Sequence, residues 1–166
     1  TVVADGGNGM GGRVLSCVAL ALPLKIHQLY AEPDGTFPHH DANPMEAKNR
    51  RELEVAVVQA GADLGVGFDG DADRAFFIDA KGVFRPADHV LALLVQRVLR
   101  AHPGGAIVYD VRCSRHVAEA IARCGGTGHM GKVGHAHAKP MMLQLGAVLG
   151  GELSGHTYFP LLGGVV

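Results

Sequence analysis

The chain opens on TVVA, an apolar run at residues 1 to 4 that reads as a short buried strand. The turn Asp5-Gly-Gly-Asn-Gly9 follows. A largely apolar stretch from about Gly12 to Leu22 then reads as a helix that must end before Pro23. Lys25 to Ala31 alternates as a strand does, and residues 32 to 43, with their Pro, Gly, His and Asp, read as a loop. Asn43-Pro44-Met45-Glu46 is a helix-start signal, with Asn as the cap, Pro at the first helical position and Glu at the third. That helix is predicted to run to about Ala60 and stop at Gly61. Leu64 to Phe68 is a buried strand, Ala75 to Ile78 a second one, and the turn Asp79 to Gly82 leads into Val83 to Arg85, which closes a hairpin.

A second set of elements begins near Pro86. Residues 87 to 101 carry helical periodicity through Val90, Leu93, Leu94 and Val98. Ala106 to Tyr109 is a strand ending at Asp110, and Ser114 caps a helix reaching about Cys124, where Gly125-Gly126 stops it. A shorter helix follows His135, and Pro140 within it removes a hydrogen bond and should kink it, which leaves the placement of Lys139 open. Val148-Leu149 is the end of a strand leading into GGELSGH.

The two halves share an order. VVAD at 2 to 5 and IVYD at 107 to 110 are strand-Asp-turn-helix openings, while GVGFDGD at 65 to 71 and AVLGGELSG at 147 to 155 are strand-then-acidic-loop closings. This faint repeat predicts an α/β fold of two similar mixed-sheet α/β domains, residues 1–84 and 85–166. In such units ligands gather outside the carboxyl ends of the strands, where both acidic loops stand.

Composition narrows the classes. With 48% hydrophobic residues among 166, the chain can fill one full core or two small ones. Its 15 basic and 16 acidic residues nearly cancel, so charge gives no case for nucleic acid or an anionic membrane as a partner. The apolar stretch Val14 to Leu24 contains Pro23 and is too short to span a bilayer, and no signal-peptide pattern opens the chain. Cys17, Cys113 and Cys124 have no CxxC spacing, which suits free thiols in a reducing, cytoplasmic setting, with Cys113 and Cys124 as apolar fillers.

The chemistry concentrates in GVGFDGDADRAFFID, residues 65 to 79. Asp69, Asp71 and Asp73 alternate on a glycine turn between two apolar segments. Together and unpaired they would raise one another's pKa and destabilise the fold. A hard divalent cation removes that cost, and three carboxylates with open positions suit Mg²⁺. An EF-hand would need Gly at the sixth loop position and Glu at the twelfth, where this chain has Arg74 and Ala80. A solvated acidic turn is the plain alternative. Arg74 either holds a phosphate oxygen or pairs with one of the aspartates. His39, His40 and Asp41 read as loop residues, because no further His or Cys spacing supports a metal site there.

DGDADR at 69 to 74, GHAHAK at 134 to 139 and GGELSGH at 150 to 156, in that order, resemble the α-D-phosphohexomutases, closest to their bacterial phosphomannomutase/phosphoglucomutase branch. VVADGGNGMGG at the opening and YDVRCS at 109 to 114 fit the same family, so the resemblance covers nearly the whole chain. The family fold is four domains around a cleft, and this chain resembles most of the second and much of the third, incomplete at both ends.

The resemblance implies that Asp69, Asp71 and Asp73 bind Mg²⁺ and that Arg74 faces the reacting phosphate. Glu152 and Ser154 would hydrogen-bond the hexose hydroxyls, which suits vicinal diols. His135 and His156 would lie near the reacting hydroxyls, for proton transfer or substrate contact. Arg112 falls where relatives carry a basic residue near the substrate. The reaction implied is interconversion of hexose 6-phosphate and hexose 1-phosphate (mannose or glucose) through a phosphoserine and a hexose 1,6-bisphosphate. From the residues alone, both histidines also read as turn or surface groups, Glu152 as solvated, and Arg112 as a partner of Asp110. Ser16, Ser114 and Ser154 are the chain's serines, and none stands in the Ser-His-Asn-Pro setting of the family's phosphoserine. The expectation is therefore a part of a longer enzyme, inactive alone and lacking the family's first and last domains. Phosphoglucosamine mutase, or a non-catalytic module binding metal and sugar phosphate, is the alternative. The closing PLLGGVV reads as a junction, a tag remnant or a divergent strand.

Overall fold

A computed structural model describes residues 1–161 and 164–165. The chain forms two compact units, Thr1–Arg85 and Pro86–Val166. In the first, strands β1 (Val2–Asp5), β2 (Ile26–Leu29), β3 (Leu64–Phe68), β4 (Ala75–Asp79) and β5 (Phe84–Arg85) form one sheet in the order β2-β1-β3-β4-β5. The first three are parallel, and β4 and β5 add antiparallel. Helix α1 (Gly11–Ala21) follows β1 and helix α2 (Ala47–Gln59) precedes β3. Alternate residues of β1 go to opposite layers, as a strand buried on both faces requires. Val3 packs with Leu53 and Val57 of α2, while Ala4 packs with Leu15 of α1.

The second unit repeats the plan. Helix α3 (Ala87–Ala101) leads into β6 (Ala106–Asp110), α4 (Arg115–Arg123), β7 (Thr127–Gly131), α5 (His135–Leu145), β8 (Leu149–Gly151) and β9 (Thr157–Tyr158). The sheet order is β7-β6-β8-β9, parallel through β8 and antiparallel at β9. From β6 onward this is the order of the first unit from β1 onward, so the repeat read in VVAD and IVYD is a repeat of topology. Ile107 and Tyr109 of β6 face α3 and α4, and Val108 faces Ala138 and Met142 of α5. Two-residue strands β10 (Pro160–Leu161) and β11 (Gly164–Val165) pair antiparallel. Leu162, Gly163 and Val166 lie outside the described residues, so the reading of PLLGGVV falls partly outside them. Among the described residues no helix is long and apolar enough to cross a membrane.

Several local expectations shift. Asn43-Pro44-Met45-Glu46 is a turn preceding the helix, which starts at Ala47: Asn43 Oδ1 accepts the Met45 N–H at 3.3 Å, and Glu46 occupies the cap position. Ser114 stands at the cap of α4, yet its Oγ is buried without a partner, while its N–H donates to Asp88 Oδ2 at 3.0 Å. α5 continues through Pro140. β7, TGHMG, was not expected. It has no alternation to read, because it is an edge strand with no buried residue, held by its register with β6.

At Gly12, in the first turn of α1, a Cβ would lie 2.0 Å from the carbonyl oxygen of Ala31, whereas a Cβ at Gly35 would meet nothing within 4 Å. A backbone carbonyl cannot swing aside as a side chain can. We expect Gly12→Ala to lose about 1–3 kcal/mol through overpacking, outweighing a helix-propensity gain of at most about 1 kcal/mol. Gly35→Ala should stay within about 0.5 kcal/mol of the parent. Urea unfolding midpoints of the two variants check this, and equal midpoints would contradict the close approach.

Candidate functional site

The aspartate loop begins where β3 ends. Asp69 is 2% exposed, while Asp71 and Asp73 reach solvent. The chain turns on Ala72, whose φ of 60° is left-handed and whose N–H donates to the Asp69 carbonyl at 3.1 Å. One carboxylate oxygen from each of the three aspartates then lies within 4.8 Å of the others. This all-oxygen donor set fits a hard divalent cation. Arg74 closes the loop, its N–H donating to Asp69 Oδ1 at 3.1 Å and its Nε to Asp69 Oδ2 at 2.6 Å, with Asp73 Oδ1 at 3.5 Å. Of the two readings of Arg74, pairing with an aspartate is the one realised here.

Two neighbouring segments brace this loop. Gly9, in the β1–α1 turn, comes so close that a Cβ there would sit 2.4 Å from the Gly70 carbonyl oxygen, and the Met10 N–H donates to that same oxygen at 2.9 Å. A Cβ at Gly70 would touch Ala42 and Phe37 of the loop before α2. That loop is tied to the end of β1. Asp5, 3% exposed, accepts the Gly7 N–H at 2.8 Å and faces His40 Nε2 at 3.0 Å. Burial pushes the Asp5 carboxyl up from its ordinary value, against the Gly7 N–H and His40, which pull it down. His39 Nδ1 lies 2.7 Å from Asn8 Oδ1 and its ring stacks on Tyr30 at 3.8 Å.

In the second unit the chemistry gathers at the ends of β6 and β8, adjacent parallel strands. Asp110, 2% exposed, accepts the Arg112 N–H at 2.7 Å, Arg112 Nη2 at 2.6 Å and the Leu153 N–H at 3.2 Å. Glu152 is 4% exposed, and Arg112 Nη2 lies 3.6 Å from its Oε2. Ser154 Oγ donates to that oxygen at 2.9 Å, and Tyr158 Oη donates to Oε1 at 2.6 Å. Having spent its one proton, the Ser154 hydroxyl accepts from His156 Nδ1 at 3.0 Å. Glu152 is therefore buried and held on both oxygens, not a solvated loop residue. Arg112 is both a partner of Asp110 and a neighbour of Glu152.

His135 stands apart, exposed in the first turn of α5, and none of these bonds reaches it. Lys139 places Nζ 5.8 Å over the Tyr158 ring. Sequence reasoning missed Tyr158, Asp5 and His40. The repeated strand-terminal aspartate of VVAD and IVYD was the available signal for Asp5. Cys113 packs against the core, and burial, with Asp110 nearby, pushes its thiol up to about 12.

Sequence and structure comparisons agree on the family. Residues 1–82 match the model for phosphoglucomutase/phosphomannomutase alpha/beta/alpha domain II, and residues 86–162 match that for domain III. The chain belongs to the phosphoglucomutase/phosphomannomutase family. It is 38% identical over 163 residues to a phosphomannomutase of Salmonella montevideo, covering 95% of this chain and 36% of that protein. It is 40% identical over 158 residues to a phosphomannomutase/phosphoglucomutase of Pseudomonas syringae, covering 95% and 34%. The crystal structure of a family protein from Burkholderia thailandensis superimposes with a TM-score of 0.91 at 35% identity, covering 95% of this chain and 34% of that one. The chain thus spans about a third of the length of these family relatives.

Asp110 supplies a pH test. Burial alone would raise its carboxyl, but the hydrogen bonds from the Arg112 side chain and backbone and from Leu153 outweigh that and hold it below the ordinary carboxylate value. A depressed pKa contributes stability above the unfolded value, about 3.9, and loses it as pH falls through the lower folded value. We expect Asp110→Asn to be less stable than the parent at neutral pH. The gap should narrow as pH drops below about 4. Denaturant titrations at several pH values measure it, and a gap independent of pH would contradict the assignment.

Proposed function

We propose that this chain carries the metal-binding and sugar-recognition parts of a Mg²⁺-dependent phosphohexomutase acting on mannose or glucose phosphates, with the phosphoserine supplied from outside these 166 residues. The observation that carries the reading is the convergence of three aspartate carboxylates at the end of β3, in a chain whose two units match the family's second and third domains. Asp69, Asp71 and Asp73 would hold Mg²⁺. When bound, the ion neutralises charge on a phosphoryl oxygen, which phosphoryl transfer needs.

The chain's own groups supply the rest. Arg74 is the cation next to that phosphate, and on substrate arrival its Nε exchanges Asp69 for a phosphate oxygen. Glu152, fixed by Tyr158 and Ser154, accepts hydrogen bonds from two hydroxyls of a hexose, and Ser154 can turn to donate or accept. Arg112, paired with Asp110 and close to Glu152, contributes donors for the sugar phosphate. His156, joined to Glu152 through Ser154, would take the proton of an attacking hydroxyl. His135, exposed at the start of α5, is the second candidate for that proton or for substrate contact. The net reaction moves phosphate between the 1- and 6-positions by way of a 1,6-bisphosphate.

Titration calorimetry tests the metal half. Mg²⁺ should bind this chain weakly, since Arg74 already occupies Asp69, and Asp71→Asn should weaken it further by about tenfold or more, about 1.4 kcal/mol. The purified chain should not convert glucose 1-phosphate. Tight Mg²⁺ binding unaffected by Asp71→Asn would contradict the metal assignment, and steady turnover would contradict the external phosphoserine.

A further inference from the structure

The pair His39-His40, left as loop residues by the sequence, holds an unused piece of chemistry. His40 has 11% of its side chain exposed and Asp5 4%. His40 Nδ1 lies 2.9 Å from the carbonyl oxygen of Asp41, a group that only accepts, so Nδ1 carries a proton. Nε2 lies 3.0 Å from Asp5 Oδ2. Either Nε2 also carries a proton and Asp5 is a carboxylate, or Nε2 is bare and Asp5 is a carboxylic acid. Both hydrogen bonds form only while the pair holds one proton beyond those of a neutral imidazole and a carboxylate.

What the pair holds in place is the wall of the aspartate loop. Asp5 fixes the β1–α1 turn through the Gly7 N–H, and that turn delivers Met10 N–H to the Gly70 carbonyl. His40 fixes the opposite segment, whose Phe37 and Ala42 border Gly70, and the His40 ring lies against Gly7. Gly70 sits between Asp69 and Asp71. The other titratable groups around the pair are Tyr30, edge-on to His40 and bonded to Glu52, and His39, stacked on Tyr30 with Asp34 nearby. Glu52 opposes ionisation of Asp5, and the backbone carbonyl of Glu32 accepts from the Asn8 amide.

We propose that Asp5 and His40 are positioning residues: a proton-dependent latch that clamps two segments over Gly70 and so preorganises the carboxylates of the aspartate loop. The latch stands on geometry alone, and its link to metal affinity rests on the metal reading above. Loss of the shared proton forfeits one of the two His40 bonds, so the latch loosens as pH rises. The donor and acceptor count also states what restores it. In Asp5→Asn, the amide oxygen accepts from Gly7 and the amide nitrogen donates to a bare Nε2, so every bond survives without the extra proton. In His40→Phe the ring remains and both bonds go.

The test compares the parent chain, Asp5→Asn and His40→Phe by amide exchange at Met10, corrected for the intrinsic dependence on pH, and by Mg²⁺ titration. Met10 should exchange at least about tenfold faster in His40→Phe, and Mg²⁺ affinity should fall about tenfold, as for other groups that orient metal ligands. In the parent, Met10 protection should decline as pH rises, while Asp5→Asn should stay protected throughout. Parent-like protection in His40→Phe, or the same pH profile in the parent and Asp5→Asn, overturns the latch. If His40→Phe does not fold, the parent and Asp5→Asn still decide it. If the parent binds no Mg²⁺, the metal reading fails, and the exchange profiles decide the latch by themselves.

Discussion

A carboxylate buried at the end of a parallel strand has to be compensated locally, and the loops of this protein are built around that constraint. Asp5 ends β1, Asp69 follows β3, Asp110 ends β6 and Glu152 follows β8, and none is more than 4% exposed. Each lies at the carboxyl edge of its sheet, where the chain turns and backbone N–H groups become available. Asp5 takes the N–H of Gly7, and Asp110 that of Arg112, the same two-residue reach in both units. The acids thus stabilise the turns that hold them, and the turns put the acids where a ligand can arrive.

The compensating cation differs between the units, with opposite electrostatic results. Arg112 meets Asp110 with a permanent charge and a fork of donors, and the Asp110 carboxyl lies below its ordinary value. His40 offers Asp5 an imidazole whose charge depends on a proton, and there burial wins, so the carboxyl lies above its ordinary value. The two strand-terminal aspartates are equivalent in the repeat but not in their response to pH. Asp110 is matched by a guanidinium that keeps its charge, and Asp5 by an imidazole that can gain or lose one.

The features legible in the sequence are local ones. Hydrophobic runs bounded by glycine, proline and aspartate marked both strands that carry acidic loops, because each is buried on both faces and keeps its apolar pattern. DGDADR and GELSGH drew attention through spacing within a few residues, and the Ser154, Glu152 and His156 contacts lie within that range. Tyr158 was missed although it lies six residues from Glu152, whereas the other missed pair joins distant segments. Asp5 and His40 are separated by a helix and a strand, and nothing in either neighbourhood names the other. β7 was invisible because an exposed edge strand needs no apolar alternation, and its register with β6 alone makes it a strand. The Asn43 cap was misplaced by a turn because Arg50 draws the carbonyls of Pro44 and Met45 to itself, holding those residues outside the helix.

The two acidic loops differ in how their carboxylates are compensated. Around β3 three carboxylates converge, Arg74 pairs with Asp69 and reaches Asp73, and Asp71 and Asp73 are exposed. Carboxylate oxygens so close together are a donor set that a divalent cation would neutralise. Around β8, Glu152 and Asp110 share Arg112, and the remaining demand is met by the neutral donors Ser154 and Tyr158. A carboxylate satisfied by hydroxyls is already in the company a sugar would provide, so hexose hydroxyls can replace Ser154 without a change of charge. A cation would be repelled there by Arg112, and a neutral diol would bring no charge to the converging carboxylates of the aspartate loop. On the proposed reading, the same strand-end device would suit metal in one unit and sugar in the other through the number of carboxylates gathered beside one arginine.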